Sequence, residues 1–209
     1  MNAFTSHRGI IAVLDRANVD TDQIIPKQFL KSIARTGFGE HLFQDWRYLP
    51  DGAPNPAFVL NRPEAKGASI LVTRHNFGCG SSREHAVWAI HEFGFATVIA
   101  PRQARGGTIV PAFADIFRNN SVKNGLLTVE LTEPEVEEIM QLAVRFPRLE
   151  ATVDLEHQRV VLHLSEEVAF HFDIEPAVKE HLIRGLDDIG LTLQHEDAIR
   201  AFESRPDGI

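Results

Sequence analysis

The chain has 209 residues, 44% of them apolar and 24% charged, which excludes a low-complexity or disordered chain and fits a globular fold with a substantial core. A formal net charge of −8 and a pI near 5.7, with no basic cluster, argue against a nucleic-acid partner. The N-terminal residues Met1 to Arg8 lack a signal-peptide core, and no apolar run approaches the roughly 20 residues that span a bilayer. The single cysteine, Cys79, excludes an internal disulfide framework and an iron–sulfur cluster ligated by this chain alone, and points to a reducing, cytoplasmic setting.

In chain order, Gly9 to Leu14 is a short apolar run and reads as a strand. It leads into Asp15-Arg16-Ala17-Asn18-Val19-Asp20-Thr21-Asp22-Gln23-Ile24-Ile25-Pro26, which carries three carboxylates. That stretch is either a turn built on Asx-type bonds or a polar wall of an active site, and its spacing is not that of an EF-hand loop. Lys27 to Arg35 predicts a short amphipathic helix, broken by Thr36-Gly37-Phe38-Gly39-Glu40. The two glycines make Phe38 either an anchor or a ligand-touching aromatic on a loop. His41 to Leu49 supplies aromatic groups for a core or an interface, and the proline-rich Pro50 to Pro63 is irregular.

The most informative stretch follows. Ala68 to Thr73 reads as a strand, Asn76-Phe77-Gly78-Cys79-Gly80-Ser81-Ser82-Arg83-Glu84-His85 as a glycine loop, and the next residues as a helix with Ala86, Ala89, Ile90 and Phe93 on one face. Phe95 to Ala100 is the next strand. In such units ligands bind in the loop at the carboxyl end of the strand. Gly78 and Gly80 allow a tight turn and close approach of a ligand to the backbone, and the helix start presents free N–H groups to an anion. Ser81 and Glu84 have capping-box spacing, so Ser81 is either a helix cap or a functional group at the anion site, and the two roles are not exclusive. Cys79 reads as a small packing residue. His85 and His91 lie on different helical faces, which disfavours a metal pair, and no metal ligand set is assigned anywhere in the chain.

Further on, Arg102 to Pro111 reads as a surface loop, and either Val98 to Pro101 or Thr108 to Pro111 completes the sheet. Phe113 to Arg118 predicts a short helix ended by the turn residues Asn119 to Gly125, and Leu126 to Leu131 a strand. Thr132, with Glu135 at capping-box spacing, starts a helix whose apolar face is Val136, Ile139, Met140 and Ala143. Ala151 to Leu155 and Arg159 to Leu164 read as a hairpin, Val168 to Ile174 as a strand, and Pro176 to Leu186 as a helix, with a last short helix after Gly185 to Asp197.

Taken together, Asn18 to Pro26, Asn76 to His85, Phe113-Ala114-Asp115-Ile116-Phe117 with Asn119-Asn120 and Lys123-Asn124-Gly125-Leu126, and Gly185 to Asp197 resemble the small subunit of 3-isopropylmalate dehydratase, a relative of the aconitase swivelling domain. These motifs span nearly the whole chain in family order. The resemblance implies an α/β fold, a swivelling β/β/α domain with a C-terminal α+β extension. It is expected as a single domain over 1–209, with a core at about 8–131 and a C-terminal hairpin and helices at about 132–209. It also implies a large-subunit partner bearing a [4Fe–4S] cluster, with no cofactor on this chain. The implied reaction is the isomerisation of 2-isopropylmalate to 3-isopropylmalate through isopropylmaleate in leucine biosynthesis. No nucleic acid or membrane partner is expected.

By the same resemblance, Ser81 matches a serine base, Ser82 a neighbouring hydrogen-bond donor and Arg83 a substrate-carboxylate clamp. Gly78, Gly80, Asp22, Lys27 and Lys31 are the expected substrate contacts. The capping-box spacing weighs against Ser81, so the choice between Ser81 and Ser82 stays open. Lys27 to Phe38 matches the region that recognises the substrate side group. There Arg35 keeps a tricarboxylate substrate open, while Leu30 and Ile33 favour an apolar one. The alternatives are a small subunit of a sister hydro-lyase acting on homoaconitate, citraconate/methylmalate or dimethylmalate, or a non-catalytic anion-binding domain. The chain departs from the family pattern in the interposed Arg102 to Pro111, in Ala112 where serine is usual, and in Ser121 where cysteine is common.

Overall fold

A computed structural model of the chain describes residues 1–31, 36–185 and 196–204. Its frame is an eight-stranded sheet. Strand β1 (Ser6–Leu14) pairs in parallel with β2 (Ala68–Thr73), which pairs in parallel with β3 (Thr97–Arg105), which pairs in parallel with β5 (Leu127–Thr132). The carboxyl ends of these four strands therefore share one edge of the sheet. On the other side of β1 the sheet continues antiparallel through β6 (Glu150–Asp154), β7 (Arg159–Leu162) and β8 (Val168–His171). The hairpin expected at Ala151 to Leu164 is thus built into the same sheet.

The central strands read as continuous apolar runs because both of their faces are covered. Side chains alternate across the sheet, so Leu71 and Val98 enter one core, with Ala86, Ile90 and Phe117, while Ile70, Val72 and Ile99 enter the other. Helix α3 (Glu84–Phe93) packs in the first core, and α5 (Glu133–Arg145) supplies Val136, Ile139 and Met140 to the second. Helix α5 starts as expected, with the Glu135 carboxylate accepting from the Thr132 N–H at 2.8 Å. The remaining helices are α1 (Thr21–Ile24), α2 (Gln44–Arg47), α4 (Asp115–Lys123), α6 (Pro176–Arg184) and α7 (Glu196–Glu203). Among the described residues no helix is long and apolar enough to cross a membrane.

Three expectations change. Arg102 to Pro111 is not a surface loop but a β-hairpin that extends β3, with β4 (Thr108–Val110) folding back so that Gln103 faces Val110 and Arg105 faces Thr108. Its two turn residues, Gly106 and Gly107, have φ of 57° and 83°, the backbone that a two-residue hairpin turn needs. Val98 to Pro101 completes the sheet, since Thr97 to Arg102 pairs with Leu127 to Thr132. Helix α4 runs on through Asn119-Asn120-Ser121 to Lys123, and the fully buried Ser121 hydroxyl finds its partner in the Phe117 carbonyl one turn back, at 2.8 Å. Lys27–Lys31 forms a 3₁₀ turn in place of the first part of the expected helix, and the remainder, with Ile33 and Arg35, lies outside the described residues, as does most of Gly185 to Asp197.

Candidate active site

Two loops at the carboxyl edge of the sheet are laced together. The Gly78 N–H donates to the Val19 carbonyl at 2.8 Å, the Thr21 N–H to the Cys79 carbonyl at 3.0 Å, and the Thr21 hydroxyl to the Ser81 carbonyl at 2.9 Å. Thr21, which joins the two loops, is itself buried. A third segment closes the arrangement from behind, where Asn76 and Phe77 donate to the carbonyls of Pro111 and Ala112 at 2.9 Å each.

The glycines are required by geometry. Gly78 has φ of 74°, and a Cβ there would stand 2.2 Å from Cγ of Phe117. That approach lets the loop lie directly on α4. Gly80 has φ of 87° and turns the chain past Asp20.

The aspartates of the first loop divide their roles. Asp20 caps α1, accepting from the Gln23 N–H at 2.7 Å while Gln23 Oε1 accepts from the Asp20 N–H at 3.0 Å. For Asp20 the turn reading holds. Asp22 instead reaches across to the Arg83 guanidinium, and its second oxygen lies 3.8 Å from Lys27 Nζ. Arg83 is only 9% exposed at its side chain, so the guanidinium is held in the wall of the site. The side chain of Lys31 lies outside the described residues.

The hydrogen bond from Arg83, with the charges of Arg83 and Lys27, holds the Asp22 carboxyl below the ordinary aspartate range. A depressed folded-state value means that this pairing stabilises the fold above the ordinary aspartate pKa and is lost as pH falls through the lowered one. Asp22→Asn is therefore expected to be less stable than the parent chain at neutral pH, and the difference should close on acidification below the usual carboxylate range. Denaturant unfolding over a pH series checks this.

Of the two readings of Ser81, the helix cap does not hold. Helix α3 begins at Glu84 with Arg83 in the capping position, and the Arg83 side chain makes no cap bond. The turn at Gly80 and the tether from Thr21 to the Ser81 carbonyl keep Ser81 outside the helix. Ser81 and Ser82 are both exposed, and neither hydroxyl has a hydrogen-bond partner among the described residues. The objection to Ser81 as a base, that its hydroxyl is occupied, is thereby removed. Burial and the nearby Asp20 charge push the Cys79 thiol up, which suits a packing role and not a reactive thiolate.

Sequence reasoning missed the support around α3. The Glu92 carboxylate accepts from the N–H groups of Gly37 and Gly39 at 2.9 and 3.0 Å. A Cβ at Gly39 would meet the α3 backbone at 2.8 Å. Phe38 is buried, with its ring edge-to-face with His85 at 5.0 Å and tilted against Trp88. Phe38 is thus an anchor on α3, and His85 packs against it. Trp88 and Glu84 are both bonded to Asn124, at 2.9 Å each, which ties the start of α3 to the end of α4. The signal for these contacts in sequence is slight, because every partner lies 36 or more residues away.

The sequence pattern of the aconitase C-terminal domain matches residues 1–134, and the pattern of the C-terminal domain of 3-isopropylmalate dehydratase small subunits matches residues 188–205. A 3-isopropylmalate dehydratase small subunit from Desulforapulum autotrophicum is 55% identical over 205 residues, covering 98% of this chain and 96% of its relative. The chain belongs to the 3-isopropylmalate dehydratase small-subunit family. A second member, from Methylibium petroleiphilum, is 53% identical over 213 residues, covering 98% of this chain and 93% of its own length. The crystal structure of a 3-isopropylmalate dehydratase from Methanocaldococcus jannaschii superposes with a TM-score of 0.62 at 22% identity, over 95% of this chain and 99% of that one. That likeness supports the α/β fold expected from the sequence.

A [4Fe–4S] cluster needs several thiolate ligands. This small-subunit-family chain has one cysteine, so its residues do not fit such a cluster.

Proposed function

We propose that this chain is the small subunit of a 3-isopropylmalate dehydratase, interconverting 2-isopropylmalate and 3-isopropylmalate by loss and return of water through isopropylmaleate in the leucine pathway, in company with a large subunit. The observation that carries the reading is identity of 53–55% to small subunits of that enzyme over 98% of the chain.

The loop chemistry is consistent with it. Dehydration removes a proton from a carbon beside a carboxylate, and the charge that develops must be met by fixed donors. In this proposal Ser81, as an alkoxide stabilised by the loop N–H groups and the nearby cations, takes that proton and becomes the hydroxyl, Ser82 donates a hydrogen bond, and Arg83 grips a substrate carboxylate. The Arg83 fork suits a two-oxygen partner, and Asp22 holds it in place until substrate arrives. Gly78 lets the loop lie on α4 while its own N–H stays on Val19, the turn at Gly80 brings the backbone N–H groups after it close to the bound anion, and Lys27 adds positive charge at the mouth, with Lys31 as a further candidate contact. The [4Fe–4S] cluster is placed on the large subunit, where it supplies Lewis-acid chemistry when bound.

The test is a panel of hydroxy acids offered to the two-subunit enzyme: 2-isopropylmalate, citramalate, dimethylmalate and homocitrate. The expected result is highest kcat/KM with 2-isopropylmalate. A preference for a tricarboxylate would replace this reading with a homoaconitase-type one.

A further inference from the structure

A cavity lies outside the loops assigned to chemistry. It is an open groove of about 530 Å³ between the end of β1, helix α5 and the segment 57–62, and none of Asp22, Lys27 or Gly78 to Arg83 lines it. Its volume is within the range of small-molecule sites. Its floor is apolar, with Phe58 and Met140 nearly fully buried and Val144 lying 77% exposed at the mouth.

Its charged groups are three arginines and two carboxylates, beside the amide of Gln141, which donates to Glu137 at 3.1 Å, and the carboxylates are committed. Arg74 is fixed by Asp15 at 2.5 Å and by Glu137 at 2.6 Å, one on either side of the groove. These contacts raise the Arg74 pKa, and the Arg74 contact holds the Glu137 carboxyl low. The other two arginines have no carboxylate partner among the described residues. Arg16 lies over the Trp46 ring at 4.3 Å, and Arg62 donates to the Ala57 carbonyl at 2.9 Å. The groove therefore offers an apolar floor with surplus positive charge at its rim.

We propose that this groove binds a small carboxylate with an apolar tail, the tail on Phe58, Met140 and Val144 and the carboxylate between Arg16 and Arg62. An apolar floor alone would take a neutral hydrocarbon. The two guanidinium groups without a carboxylate select an anion, since a charge-assisted bond to carboxylate is stronger than a neutral one. The site also adjoins the catalytic edge in the chain. The Arg16 carbonyl accepts from the Arg74 N–H at 3.2 Å and from the Thr73 hydroxyl at 3.0 Å, just where both strands pass into the laced loops.

The test is calorimetric titration of 4-methylpentanoate into the assembled two-subunit enzyme already equilibrated with saturating 2-isopropylmalate. Saturable binding at one site per small subunit is expected, with 4-methylpentan-1-ol binding about tenfold or more weakly because it lacks the charge. The double variant Arg16→Gln, Arg62→Gln should weaken 4-methylpentanoate by about tenfold or more. Val144→Glu, at an exposed position that leaves the core untouched, should weaken it as well. The proposal is overturned if binding is absent, if 2-isopropylmalate abolishes it, or if none of these variants changes it.

Discussion

Replacing Ser81 with alanine is expected to lower turnover of the two-subunit enzyme by about 10²–10⁴-fold, the range for losing a positioned general base, with KM changed little. Ser82→Ala should cost about tenfold or less, as befits one neutral hydrogen bond. The asymmetry rests on how the two residues are held. The Ser81 backbone is pinned by the buried Thr21 hydroxyl, and its side chain is released from capping because α3 starts three residues later. Ser82 has no such tether among the described residues. Steady-state kinetics of both variants with 2-isopropylmalate decide the matter. Equal losses, or full turnover in Ser81→Ala, would remove Ser81 from the role of base.

The second large effect falls on the fold of the same loop. Gly78→Ala forces a side chain into left-handed backbone at φ of 74° and drives its Cβ to within 2.2 Å of the Phe117 ring. Left-handed strain and overpacking together cost about 2–5 kcal/mol. For a chain of this size that lowers the melting temperature by roughly 4–20 °C. Gly80→Ala meets only ordinary contact, 3.4 Å from the Asp20 Cβ, and keeps the strain term alone. Thermal unfolding of the two variants should therefore rank Gly78→Ala clearly below Gly80→Ala. The reverse order would mean that Phe117 yields and that the loop does not depend on lying against α4.

Much of the frame is legible in the sequence because local and global preferences agree there. Ala68 to Thr73 is apolar, β-prone and followed by glycines, and it becomes β2 with those limits. Thr132 and Glu135 sit before an apolar helical face and start α5. The departures have identifiable causes. Ser81 and Glu84 match a capping pattern, yet the Gly80 turn and a tether from a residue 60 positions away keep Ser81 out of the helix. The hairpin at Gly106-Gly107 carries a recognisable two-residue turn, and its flanking Gln103-Ala104-Arg105 and Thr108-Ile109-Val110 could have been paired from that signal alone.

The pairing of Asp22 with Arg83 is of a different kind. It spans 61 residues, and nothing local to either residue names the other. The same holds for the Glu92 carboxylate and its two glycine N–H groups. The first contact is set by where β1 and β2 end beside each other in the sheet, and the second by the packing of the 37–39 segment on the far end of α3, facts that no single stretch of sequence contains.

If this chain contributes half of a divided active site, the most direct test is to titrate it into a fixed amount of cluster-loaded large subunit and follow the conversion of 2-isopropylmalate. Each subunit alone should be inactive, and activity should rise with added chain to a plateau near equimolar ratio. Activity of the large subunit that is indifferent to this chain, or turnover by this chain alone, would contradict the divided site.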